Sequence, residues 1–157
     1  MKDKIVDVLK EMTFDEQYKE LYSQHHDIKN FYNLKRKEAE HIIKIHDSDF
    51  EYIKGDRMFM KEFKYGGMRI RHFLHFTEGM IEFSYALFKG EDNVVFRRGN
   101  LHALASMVDP QFLERIRSQC FIATSLEEAQ YIIDRIFQWL NDFKEKLEEK
   151  ISESDFS

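Results

Sequence analysis

RMFMKEFKYGGMRIRHFLHFTEGMIEFSYALFKGEDNVVFRRG, residues 57–99, decides the fold. Arg57 to Tyr65 and Met68 to Thr77 flank Gly66-Gly67, and a two-residue Gly-Gly link can take the positive φ angles of a tight type I′ or II′ hairpin turn. A second link at Glu78-Gly79 leads into Met80 to Phe88, and Gly90, Glu91, Asp92 and Asn93 make a third turn before Val94 to Arg98. Strand-like runs this closely spaced predict an antiparallel meander.

Side chains alternate between the faces of a strand, so Ile81, Phe83, Tyr85 and Leu87 share a face that should meet the core. In the second run Ile70, Leu74 and Phe76 lie on one side with His72 among them, and Arg69, Arg71, Phe73, His75 and Thr77 lie on the other. One apolar and one mixed face suit helices on one side and water or a partner on the other.

Working outward, Ile5, Val8, Leu9 and Met12 recur at helical spacing, and Thr13-Phe14-Asp15-Glu16 reads as a capping box that starts a second helix. Apolar positions then continue through Leu21, His25, Ile28, Tyr32, Ala39, Ile42 and His46. They describe either one helix of about 45 Å or two helices broken near Asn30 to Asn33. Asp47-Ser48-Asp49 ends the pattern, and Phe50 to Ile53 reads as a further edge strand. Beyond the meander, Leu101 to Val108 fits strand or helix, and Asp109-Pro110 should open a short helix to about Ser118. Cys120 to Ala123 is a possible last strand. Thr124 or Ser125 then caps a long helix carrying Leu126, Ala129, Ile133, Ile136, Leu140, Phe143 and Leu147 at spacings of three and four. The expected fold is α+β: a central antiparallel meander of four to six strands, an N-terminal helical segment, and a long C-terminal helix packed on one face.

Length bounds this to a single domain over residues 1–151, large enough to bury about two-thirds of its unfolded surface, with a disordered tail over 152–157. The lone Cys120 allows neither an internal disulfide nor a thiolate metal cluster. Asp3, Asp7 and Glu11 interrupt the N-terminal apolar residues, so neither a signal peptide nor a membrane span is expected, and the compartment read is cytoplasmic. The net charge of −5 is concentrated at one end: residues 1–123 hold 20 acidic and 20 basic side chains, and residues 124–157 hold nine and four. Nucleic acid is a poor fit to that balance. A local basic patch of Arg69, Arg71, Arg97 and Arg98 with Phe73 and Tyr65 is diluted by Glu62, Glu78 and Asp92.

The seven histidines do not fall at metal-binding intervals: His25 and His26 are adjacent, His41 and His46 are five apart, and His72 and His75 point to opposite strand faces. No metal or cofactor is expected. For catalysis, His72 would need Glu62 or Glu82 beside it, and the sequence holds no nucleophile elbow, phosphate loop or dinucleotide turn. No catalytic residue is assigned. Partner binding is expected instead on two surfaces. One is the mixed sheet face with Arg69, Arg71, Phe73 and His75, and the other is the acidic side of the last helix with Glu127, Glu128, Asp134 and Asp142.

A small acidic chain with an N-terminal helical segment, an antiparallel sheet over 57–99 and a long acidic helix over Leu126 to Lys150 resembles immunity proteins of bacterial contact-dependent and type VI secretion toxin systems. That resemblance implies a non-enzymatic protein that neutralises a cognate protein toxin by binding it directly. It rests on architecture and transfers no residue role. The same order of elements also resembles type III secretion chaperones, which act as homodimers, and a small hydrolase or ligand-binding enzyme using His72, His75 and Glu82 is a third reading. The oligomeric state stays open.

Overall fold

A computed structural model describes residues 2–65, 67–91, 95–112 and 120–151. Helices α1 (Lys2–Glu11), α2 (Phe14–Gln24) and α3 (Arg36–His46) precede strands β1 (Glu51–Ile53), β2 (Met58–Tyr65), β3 (Met68–Thr77), β4 (Met80–Lys89) and β5 (Val95–Asn100). Helix α4 (Leu101–Val108), strand β6 (Phe121–Ile122) and helix α5 (Leu126–Lys150) complete the described chain. The strands pair antiparallel in the order β1-β2-β3-β4-β5, and β6 pairs with β4. The α+β meander with its long terminal helix is therefore present.

Register aligns the side chains into rows. Phe59, Leu74 and Phe83 form one row, Lys61, His72, Tyr85 and Gly99 the next, and Phe63, Ile70, Leu87 and Arg97 a third. The helices cover this face, because Phe59, Leu74, Ile81 and Phe83 join one core with Leu9, Tyr18, Ile43, Ile133 and Trp139. Arg69, Arg71, Phe73 and His75 occupy the other face.

Backbone chemistry sets the turns. Glu78 and Gly79 both take positive φ (51° and 76°), the signature of a type I′ link between β3 and β4. A Cβ at Gly79 would sit 2.3 Å from Cβ of Phe31, so glycine also makes room for the neighbouring segment. The left-handed angle expected of Gly66-Gly67 is not taken by Gly67, and Gly66 lies outside the described residues. Gly90 is left-handed at φ 70° and donates its N–H to Gly67 O at 3.2 Å, whereas 92–94 of that turn lie outside the described residues.

Two readings of the N-terminal segment are corrected. Thr13 does not cap α2 with its side chain; it is left-handed (φ 50°), and its hydroxyl donates to Met12 O at 2.7 Å. A left-handed residue after α1 ends that helix as a glycine would, and the α2 ladder starts from the Thr13 carbonyl, which accepts from Gln17 N–H at 3.1 Å. The helical periodicity through His25, Ile28 and Tyr32 also fails, because α2 ends at Gln24 and α3 begins at Arg36. Tertiary pairing explains this. His25 O accepts from Ile122 N–H and Tyr32 N–H donates to Ala123 O, both at 2.8 Å, so the two ends of 25–32 pair with the β6 segment and only a single 3-10 turn, Ile28–Asn30, forms between them.

Leu101 to Val108 resolves as helix, because Asn100 ends β5 with an amide oxygen that accepts from Ala103 N–H at 2.8 Å. Asp109 Oδ1 accepts from Gln111 N–H at 3.2 Å, as a helix-starting residue would, and 113–119 of the helix expected there lie outside the described residues. Ser125 caps α5 by accepting from Glu128 N–H at 3.0 Å. The tail expected over 152–157 lies outside the described residues.

Candidate binding cavity

The covered sheet face does not pack against the helices along its whole length. Between β2–β5 and the helices α1 and α5 lies a largely apolar cavity of about 480 Å³. Its floor is the pair of rows that start at Lys61 and Phe63. Ile5 and Leu9 of α1, Leu140, Phe143 and Leu147 of α5, and Trp139 and Phe83 line it. The void follows from α5 itself: Ala129, Ile132, Ile133, Ile136, Phe137 and Trp139 are buried, whereas Leu140, Phe143 and Leu147 on its C-terminal half are only partly buried.

A few polar groups border this void. Lys61 Nζ lies 2.6 Å from Asp47 Oδ2 at the end of α3. Burial works against the Asp47 carboxylate, but the hydrogen bonds from Lys61 and the Asp49 N–H outweigh it and hold the group below its ordinary range. His72 stands between the rings of Phe63 (4.9 Å, 79°) and Phe83 (5.0 Å, 71°), both edge-on. Enclosure by the cavity walls, reinforced by the Lys61 charge and partly offset by Asp47, pushes the imidazole down to about 4. It is therefore neutral at pH 7. Burial raises the Tyr85 phenol, and Arg97, which is hydrogen-bonded to it, works the other way.

These groups suit binding better than proton transfer. A general base works best with a pKa near the operating pH, and an imidazole near 4 is too weak a base for neutral solution. Neutral His72 can instead donate or accept a hydrogen bond within an apolar site. The expectation of Glu62 or Glu82 beside His72 is not met: both face the opposite side of the sheet, opposite Arg71 and His75, and the carboxylate acting on His72 is Asp47. His72 is likewise separated from His75 and Glu82, so those three form no single constellation.

Of the expected partner surfaces, the sheet-face set does come together. Arg71 Nε donates to Glu62 Oε2 at 2.5 Å, Arg69 lies 3.7 Å from the same oxygen, and both guanidinium groups stack over Phe88. Arg69 also donates to the carbonyls of Gly90 and Glu91 at 3.3 and 3.4 Å. Phe73 is half-buried with its ring 6.4 Å from that of His75, and His75 Nε2 is 3.5 Å from Ser84 Oγ. Arg98 shares this face but Arg97 does not, which splits the basic patch.

On α5, Glu127 and Asp142 are exposed, whereas the other two carboxylates are engaged within the chain. Glu128 lies 2.5 Å from His25 Nδ1 and accepts from Thr124, and these bonds hold its carboxyl low against the opposing effect of burial. Asp134 lies 2.5 Å from His46 Nε2. Two histidine–carboxylate contacts thus tie the ends of α2 and α3 to α5.

Of the cavity residues, the sequence marks Arg97 only as part of a basic patch and Tyr85 only as core-facing, and it does not mark Asp47 or Lys61 as a site. One signal was present: alternation places charged Lys61 between Phe59 and Phe63 on a core-facing strand side, where an unpaired charge is expensive. Among the described residues, no three His, Cys, Asp or Glu side chains gather as a metal site, and no helix is long and apolar enough to cross a membrane. No protein-family model matches the chain, and no curated protein or solved structure matches it.

Proposed function

We propose that this chain is a non-enzymatic binding protein that encloses an elongated apolar small molecule between its sheet and helices α1 and α5. The cavity carries this reading: about 480 Å³ lies within the roughly 300–1,000 Å³ typical of ligand sites, and an apolar wall with a few placed polar groups is their usual chemistry. Lys61, His72 and Tyr85 give one edge of the floor hydrogen-bonding character, and Phe63, Ile70 and Leu87 give the rest apolar contact.

Ile70→Trp tests the reading by filling the void from the first half of β3. Wild-type protein is expected to raise the fluorescence of the neutral dye Nile red. The variant, with its circular dichroism unchanged, should bind the dye about tenfold more weakly or worse, a loss of about 1.4 kcal/mol. Equal enhancement by both proteins would place the dye elsewhere and overturn the reading.

A second reading, neutralisation of a protein toxin by direct binding, is favoured by the start of α5. Leu126 and Tyr131 are 39% and 54% exposed there, and Tyr131 stands one turn from exposed Glu127 on the same side of the helix. Aromatic area beside an acidic group suits a basic protein surface. Under this reading, affinity capture from native lysate returns one stoichiometric partner, and Glu127→Lys with Asp142→Lys slows its association about tenfold. An unchanged association rate would remove the acidic surface from the interface.

A further inference from the structure

We propose that the molecule taken up by the cavity is a single-chain carboxylate whose acid group is received by Arg97 and the Tyr85 hydroxyl, with its hydrocarbon chain lying along Leu87, Ile70 and Phe63. This rests on the cavity reading above and adds the chemistry of the ligand's head. Arg97 is the distinguishing group. It is half-buried on the cavity side of β5, and beside the Tyr85 phenol its other acceptor among the described residues is the thioether of Met107, 3.6 Å from a guanidinium nitrogen. A thioether is a weak acceptor, and a guanidinium carries five donors.

Charge balance around the cavity singles out the same residue. Lys61 is paired with Asp47 at 2.6 Å, and Lys144 lies 3.9 Å from Glu148. Lys64, at the rim, is exposed to solvent. Among the described residues no carboxylate pairs with Arg97, so a half-buried cation borders an apolar space with no counter-ion among those residues. Desolvated charge of this kind is stabilised by an anion brought to it, and the planar fork matches a carboxylate in two parallel hydrogen bonds.

The floor also has the shape for a chain. Phe63, Ile70, Leu87 and Arg97 are register partners across four adjacent strands, a path of about 14 Å at the usual strand spacing. Arg97 ends that path. Gly99 helps to complete the headgroup position: a Cβ there would lie 2.8 Å from Tyr85 Oη, so its absence lets the phenol rest against β5, within reach of Arg97.

Isothermal titration of the full chain with octanoate and with octan-1-ol separates the two levels of the proposal. Octanoate should bind wild-type protein about tenfold or more tightly than the alcohol, the effect of one charge-assisted hydrogen-bonded pair. Arg97→Leu, with its circular dichroism unchanged, should erase that preference by weakening octanoate far more than the alcohol. Tyr85→Phe, which keeps the ring and the packing, should reduce the preference in part and serves if Arg97→Leu folds poorly. Equal affinity of wild type for acid and alcohol, or an equal loss of both in Arg97→Leu, overturns the headgroup assignment and leaves the cavity reading standing. Binding of neither ligand overturns both.

Discussion

Trp139→Ala is expected to lower the unfolding free energy by about 3–5 kcal/mol, the range for truncating a large buried aromatic. Trp139 is 2% exposed on α5 and joins elements that are distant in the chain. Its ring centroid is 5.2 Å from Phe14 in an edge-on contact, 6.2 Å from Phe121 and 6.5 Å from Tyr18. The indole N–H donates to Gln17 Oε1 at 2.9 Å, and Arg135 donates to the same oxygen at 3.1 Å. Alanine removes the packing between α2, β6 and α5 together with one hydrogen bond, and it enlarges a cavity that Trp139 lines. A melting temperature lower by roughly 10 °C should follow in a chain of this size. A loss under about 1 kcal/mol in urea denaturation would mean that the indole does not hold these elements together.

Acidification between pH 6.5 and 4 is expected to remove about 3 kcal/mol of stability through His72 alone. Its imidazole sits at about 4 in the folded chain and near 6.5 in the unfolded one, and each unit corresponds to about 1.4 kcal/mol. Within this window the unfolded state binds more protons than the folded state, so stability rises with pH. The contribution is fully present above about 6.5 and is lost as pH falls through about 4. Burial shifts His102 in the same direction, which steepens the decline. Asp47, Glu62 and Glu128 are also held low, but depressed carboxylates lose their contribution as pH falls through their folded values, in a more acidic range. Urea titrations at several pH values on wild type and His72→Phe should show a flatter dependence in the variant. Parallel curves would mean that His72 is not kept neutral by its enclosure.

Much of the sheet could be read from residues 57–99 because two-residue periodicity and short polar links are local properties. Phe50 to Ile53 and Cys120 to Ala123 are both short runs compatible with strands, and β1 and β6 lie within them. The break after Gln24 is only partly legible: the pattern allows a break near Asn30 to Asn33, but the spacing of His25, Ile28 and Tyr32 imitates a helix. What opens the chain is a hydrogen-bond demand from 122–123, nearly a hundred residues away. Thr13 failed for a related reason, since a capping-box pattern does not reveal that α1 must end two residues earlier by a left-handed turn.

The candidate site was less legible than the fold. Alternation correctly puts Arg69, Arg71, Phe73 and His75 on one face, but it says nothing of Glu62 and Phe88, which occupy their guanidinium groups. The acidic run on α5 likewise hides its histidine partners. A cavity is the space left between elements, and it depends on how far α5 stands from the sheet beyond Trp139. Helical periodicity gives Leu140, Phe143 and Leu147 the same standing as Ile133 and Ile136, although only the latter pair is fully buried.

The cavity itself is the central claim, and nuclear Overhauser contacts between protein methyl groups and a neutral ligand, octan-1-ol, test it without relying on any headgroup. The expected result is contact with Ile5, Ile70, Leu87, Leu140 and Leu147, which line the void, and none with Ile28 or Ile45, which are exposed elsewhere. Contacts confined to the exposed residues, or none at all with the methyl groups of the cavity at saturating alcohol, would contradict a binding function for this space.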